Sequence, residues 1–141
     1  MADETDCIFC EIVAGRSPAH VIAEDVETVS FLDINPVNPG HVLTIPRRHA
    51  ARMWELSAEE FGSLAAAAHQ AADLVRRSLE PPGYDVFVAD GEVGGQTAFH
   101  VHIHTIPRWP NDAWSDPWVP TAGDPAELAA IAERVRATAE A

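Results

Sequence analysis

Ser57 and Glu60 make a capping-box pair, after which Phe61, Leu64, Ala65, Ala68, Ala72, Val75 and Leu79 recur at helical spacing until Pro81-Pro82-Gly83 ends the run. A helix with one such apolar face has to lay it on a second layer. Short β-branched runs on either side supply that layer: Val21-Ile22-Ala23, residues 28–33 and residues 42–45 before the helix, and Tyr84-Asp85-Val86-Phe87-Val88 after it. A further strand is expected near residues 99–106. Between the second and third runs, Asn35-Pro36-Val37-Asn38-Pro39-Gly40 is turn chemistry, with two prolines fixing φ and a glycine free to take positive φ. Pro107, Pro110, Pro117 and Pro120 argue for ordered loop over residues 107–120. Asp124-Pro125-Ala126-Glu127 then opens a last helix carrying Leu128, Ile131, Ala132 and Val135 on one face. The pattern is that of a single α+β domain over residues 1–141.

A chain of 141 residues can close one hydrophobic core. Nine Arg, no Lys and twenty-two Asp plus Glu give a formal net charge of −13, a surface that repels nucleic-acid backbones and anionic membranes. A compact anion would need a local site made of His, Arg or backbone N–H groups. The absence of Lys excludes a P-loop lysine, a Schiff-base lysine and a lysine general base. The opening residues are acidic and lack a basic and apolar leader pattern, and no segment has the length of a membrane span, so a cytoplasmic protein is expected. Cys7 and Cys10 form a C-x-x-C, which in a reducing compartment argues for a metal or redox pair over a structural disulfide.

The chemistry concentrates in His100-Val101-His102-Ile103-His104, preceded by Gly94-Gly95-Gln96-Thr97. In a strand, alternation places all three imidazoles on one face, with neighbours starting ~6.6 Å apart and the outer two ~13 Å apart. One ion cannot collect all three, so their roles must differ. Two histidines in H-x-H spacing can serve a metal. Three in strict alternation after a glycine-rich turn point to a reaction site.

This run resembles the signature of the histidine triad (HIT) nucleotide hydrolases and transferases. The resemblance extends to Cys7-Ile8-Phe9-Cys10, to Phe31-Leu32-Asp33-Ile34, and to Pro39 through His49, covering residues 7–108. It implies an antiparallel sheet with helices packed on it, and a homodimer whose sheets join. It also implies that His102 is a nucleophile forming a nucleotidyl intermediate, which suits a neutral imidazole because its free nitrogen needs no prior deprotonation. By the same resemblance His104 and His41 flank the phosphate and donate to its oxygens or leaving group, and Gln96 and Thr97 reach the phosphate or leaving group. Gly95 lets the backbone approach closely, and Asp33 holds ribose hydroxyls. Ile8, Phe9, Ile12, Phe31 and Ile34 line a nucleobase pocket. Cys7 and Cys10, with His49 and His100, correspond to a closed Cys2His2 site for one structural zinc per chain in some bacterial relatives, and the chemical step would need no metal.

Three positions depart from the family pattern: Ala89 where an Asn is common, Thr105 where an apolar residue follows the third histidine, and a tail with Trp109, Trp114 and Trp118. The expected function is cleavage of a P–N or P–O bond at the α-phosphate of a purine nucleotide, a phosphoramidate or a dinucleoside polyphosphate, releasing a nucleoside monophosphate. The rival readings are a metal-dependent hydrolase built on H-x-H and a nucleotide-binding interaction module with incidental turnover.

Overall fold

The computed structural model describes residues 6–114 and 120–139. Pro117 and Trp118, expected in the loop after β5, lie outside the described residues. Chain order is α1 (Ile8–Val13), β1 (Val21–Glu24), β2 (Thr28–Leu32), β3 (Val42–Pro46), α2 (Ala58–Leu79), β4 (Gly83–Phe87), β5 (Ile103–Arg108) and α3 (Pro125–Ala139). The five strands form one antiparallel sheet in the order β1-β2-β3-β5-β4, so the expected α+β class holds. Among the described residues no helix is long and apolar enough to cross a membrane.

Ser57 caps α2 as its sequence implied, accepting from the Glu60 N–H while the Glu60 carboxylate accepts from the Ser57 N–H. The helix lies over β2, β3 and β5. Its buried residues are Leu64, Ala67, Ala68, Ala71 and Val75. Ala65 and Ala72, read as part of the inward face, instead line a groove beside β4. The helix leans toward the centre of the sheet and leaves the β4 edge open, which rotates the contacted stripe. α1 was not expected as a helix; Cys7 caps it, its sulfur accepting from the Cys10 N–H at 3.3 Å. α3 forms where Asp124-Pro125 places it, with Leu128, Ile131 and Val135 exposed.

The strand expected over residues 99–106 is corrected at both ends. It begins at Ile103, because the residues before it bond sideways: the Val101 N–H donates to Ala50 O at 2.8 Å and the His100 ring to Pro46 O at 2.7 Å. It continues through Pro107 and Arg108, which were expected in a loop. The β3 ladder has ended by then, at Thr105 opposite Val42, and Pro107 faces only Tyr84 of β4. A missing N–H is tolerated where one side of the strand has no partner. The Pro107 carbonyl accepts from Asn38 Nδ2 at 2.9 Å.

Gly40 is the point at which the proline turn enters β3. Its φ is +87°, and a Cβ there would stand 2.8 Å from Val75 Cγ1 and 2.9 Å from Leu79 Cδ1. Gly40→Ala is therefore expected to destabilise the fold by about 2 kcal/mol through left-handed backbone strain and overpacking against α2. Urea unfolding should show a lower midpoint at unchanged slope; an unchanged midpoint would mean that Val75 and Leu79 yield without cost.

Candidate active site and metal centre

The turn of residues 91–96 is held by Gln96. Its Oε1 accepts from the Gly91 N–H at 2.8 Å, and its Nε2 donates to Ala51 O at 2.6 Å and Ala98 O at 3.0 Å. Gly91 and Gly95 both take positive φ in this turn. Asp90 pins the turn from outside, accepting from Arg52, from the Met53 N–H and from Trp54 Nε1. Sequence reasoning missed Asp90, and no motif marks it.

Below this turn lies a cleft of about 430 Å³. Ile8, Phe9 and Ile12 of α1, Phe31 of β2, then Asp33, Ile34, Gly95, Thr97, His102 and His104 all line it. The five apolar residues expected around the base, with Asp33, Gly95 and Thr97, therefore face one cavity, together with two of the three motif histidines. Leu32, Leu43, Ser17, Pro18, Ala19, Asn35 and Ala98 also line it and carried no sequence signal. Two expected residues do not reach the cavity wall. Gln96 is buried with its amide spent on backbone, and His41 stands behind His104.

Hydrogen-bond partners assign the proton on each ring. His102 Nδ1 lies 2.8 Å from the His100 carbonyl, which can only accept, so Nδ1 carries the proton and Nε2 keeps its lone pair. His41 Nδ1 accepts from the Val37 N–H at 3.1 Å, so its proton is on Nε2, 2.9 Å from His104 Nδ1. His104 therefore accepts at Nδ1 and presents an Nε2–H donor. Asp33 Oδ2 stands 3.5 Å from His41 Nε2. The His102 ring is buried edge-on against Phe9, with centroids 5.2 Å apart, and lies 4.8 Å from the His104 ring.

Burial pushes all of these imidazoles below their ordinary value. His102 is lowered chiefly by desolvation, against the His100 carbonyl and the Asp33 charge. His41 is lowered by desolvation, with Asp33 opposing. His104 is lowered to about 4 by desolvation and then by His102 and His41. At neutral pH the cleft holds uncharged rings, one with a bare nitrogen and one with an N–H donor, and no Arg lines it.

His100 turns the other way. Its Nε2–H donates to Pro46 O, leaving Nδ1 3.4 Å from Cys7 Sγ and 3.5 Å from Cys10 Sγ. His49 Nδ1 lies 3.2 Å from Cys10 Sγ, and the four ligand atoms fall within 4.8 Å of one another. A tetrahedral zinc with bonds of about 2.3 Å to sulfur and about 2.05 Å to nitrogen keeps sulfur and nitrogen ~3.6 Å apart. The residues present fit that ion, and the Pro46 carbonyl supplies the outer hydrogen bond that orients a ligating histidine. Asp33, His41 and His104 also gather within 4.8 Å. Their 2.9 Å N···N contact is shorter than the ~3.3 Å two nitrogens keep on a tetrahedral zinc, and it fits a hydrogen bond.

With this geometry in view, residues 14–111 match the family described as HIT domain. The chain belongs to that family. It is 36% identical over 131 residues to the adenosine 5'-monophosphoramidase of Schizosaccharomyces pombe, covering 92% of this chain and 95% of that protein. Among solved structures, a HIT family member from Bacillus subtilis superposes with a TM-score of 0.87 at 34% identity, covering 93% of this chain and 95% of the other. A zinc-bound histidine triad protein from Mycobacterium smegmatis superposes with a TM-score of 0.75 at 33% identity, covering 96% and 99%. Of the departures from the HIT pattern, Thr105 has a structural consequence: its buried Oγ1 has no hydrogen-bond partner among the described residues, and the residue borders the groove between α2 and β4.

The depressed value of His104 fixes a pH dependence. An unfolded imidazole titrates near 6.5 and the folded one near 4, so the unfolded chain binds more protons between these values. Stability contributed by the neutral ring is present above pH 6.5 and falls as pH falls through that window. In His104→Gln the fall in urea midpoint between pH 6.5 and about 4 should be shallower than in the wild type. Equal slopes would show that folded His104 takes its proton freely.

Proposed function

We propose that this HIT protein hydrolyses the α-phosphate linkage of a purine nucleotide, a nucleoside phosphoramidate first among the candidates, through a nucleotidyl intermediate on His102. The observation that carries the reading is the buried His102 ring with Nδ1 committed to the His100 carbonyl, which leaves Nε2 as an unprotonated nucleophile in a ring lining the cleft. The adenosine monophosphoramidase relative supports the substrate class.

In this reading the base lies between α1 and β2, against Ile8, Phe9, Ile12, Phe31 and Ile34, and Asp33 accepts from the ribose hydroxyls. The phosphate meets the His104 Nε2–H, with Gly95 and Thr97 alongside. His102 Nε2 forms a bond to phosphorus, and the P–N bond breaks with its electron pair on nitrogen, which takes a proton and departs as the amine. Water then attacks phosphorus, His102 leaves with the bonding pair as neutral imidazole, and the proton shed by water balances the one the amine took. His41 and Gln96 act from behind, His41 fixing the His104 tautomer and Gln96 fixing the turn that carries Gly95 and Thr97.

Cys7, Cys10, His49 and His100 would hold one structural zinc per chain, with all four ligand positions supplied by protein. These four residues would thereby tie α1 to the segment entering β5, and a closed site of this kind would leave the ion no open position for the reaction. A homodimer joined through β4 completes the reading. β4 is one of the two edge strands of the sheet, carries exposed Val86 and Phe87, and borders an apolar groove of about 310 Å³. The lack of an Arg among the described residues lining the cleft and the net charge of −13 favour a small nucleotide over nucleic acid or a membrane surface, and a cytoplasmic location suits reduced cysteines.

The test of the nucleophile is mass spectrometry after mixing wild type and His102→Ala with an adenosine phosphoramidate and quenching within a turnover. An adenylyl mass on wild type alone is expected. Product without an adduct, stopped by a chelator, would replace this reading with a metal-dependent hydrolase. Native mass spectrometry checks the assembly: a dimer with two zinc ions is expected, and Cys10→Ser should lose the metal. A metal-free monomer would overturn both statements.

A further inference from the structure

The His41 hydrogen bond fixes one atom of the His104 ring and leaves its plane undetermined. A ring held only at Nδ1 can still rock about its own side-chain bond, and the direction of its Nε2–H swings with it. Phe87 supplies the second constraint. It stands directly across from His104 in the β4–β5 register, and the two rings stack with centroids 4.5 Å apart and planes within 15°. Cross-strand aromatic pairs of this kind set side-chain orientation as well as strand pairing.

Phe87 is itself backed from the segment after β5. The Trp114 ring lies 6.1 Å from it, tilted by 41°. The Arg108 guanidinium covers Trp114 at 4.7 Å and donates to its carbonyl at 3.0 Å. Arg108 also bonds Asp112 at 2.7 and 3.0 Å and Asp85 at 2.6 Å, and Asp112 accepts from Asn38 Nδ2 at 2.8 Å. Asn38 belongs to the turn that delivers His41. The same knot therefore reaches His104 along both constraints: through Phe87 on the ring face, and through the turn holding His41 at Nδ1.

We infer that Phe87, backed by Trp114 and Arg108, is a positioning residue for His104, so that the chain following β5 sets the direction of the donor that meets the reacting phosphate. This rests on the covalent reading above. Displacement of a catalytic group by about 1 Å can cost a site roughly two orders of magnitude in rate.

The experiment is a double-mutant cycle read as the rate of adenylyl–His102 formation in a rapid quench, with kcat and KM measured alongside. Phe87→Leu is expected to slow adduct formation about 10-fold with KM within about 2-fold. In a His104→Ala background the same change should alter the rate by less than about 2-fold, because a residue acting through His104 has nothing left to act on. Phe87→Tyr, which keeps the ring, should recover most of the loss, and Trp114→Leu should lose about 3-fold in the same direction. Equal losses in both backgrounds would make Phe87 a packing residue or an assembly contact, and overturn the inference while leaving the covalent reading intact. No loss in Phe87→Leu would overturn it too. Failure of wild type to form any adduct would instead remove the covalent reading itself.

Discussion

The site depends on the sideways tie between the segment entering β5 and the segment leaving β3. Val101 N–H to Ala50 O, His100 Nε2–H to Pro46 O and Gln96 Nε2 to Ala51 O hold residues 96–101 against residues 46–51 instead of in a ladder. Because this stretch is not a regular strand, three histidines at alternate positions need not share a face. His100 is drawn to the cysteines, while His102 bends back on the His100 carbonyl and faces the cleft. One short irregular segment thereby contributes to both the Cys/His cluster and the cleft, and a shift in it would disturb both.

The electrostatics of the cleft contrast with those of the surface. Among the described residues Arg16, Arg47, Arg48, Arg52, Arg76, Arg77 and Arg108 all sit in ion pairs, and none lines the cleft. The cleft is lined instead by imidazoles kept neutral by burial. A bare nitrogen next to an N–H donor is a stable arrangement in a desolvated site, whereas an unpaired guanidinium there would need a carboxylate partner competing with the phosphate. Under the proposed function, an acidic protein would receive an anion through dipoles without reversing its overall field.

The region after β5 is where resemblance to the family says least and the tertiary contacts say most. Arg108, Asp112, Asp85 and Asn38 form a closed set of charge-assisted bonds, and Asp112 is held well below the ordinary carboxylate range chiefly by Arg108. This set joins the tail to the proline turn and to β4. It makes residues 107–114, read as loop from their prolines, a support on the sheet edge.

The sequence by itself determined α2 and the strands before it, though not α1, because capping at Ser57, the stop at Pro81-Pro82-Gly83 and the turn at Pro39-Gly40 are local chemistry. It also determined which residue types could do chemistry, since seven histidines and two cysteines in a chain without lysine leave few alternatives. It erred where bonding was non-local. The strand over residues 99–106 was placed too early, the inward face of α2 was rotated, and the bonds of His41 to His104 and of Gln96 to the Ala51 carbonyl carried no sequence signal. Phe87 could not be singled out, because its partner His104 is fixed only by strand register. What the tertiary structure alone decided is which nitrogen of each imidazole is bare. That depends on where the carbonyls of Pro46 and His100 and the N–H of Val37 come to rest, and backbone groups carry no signature in the sequence.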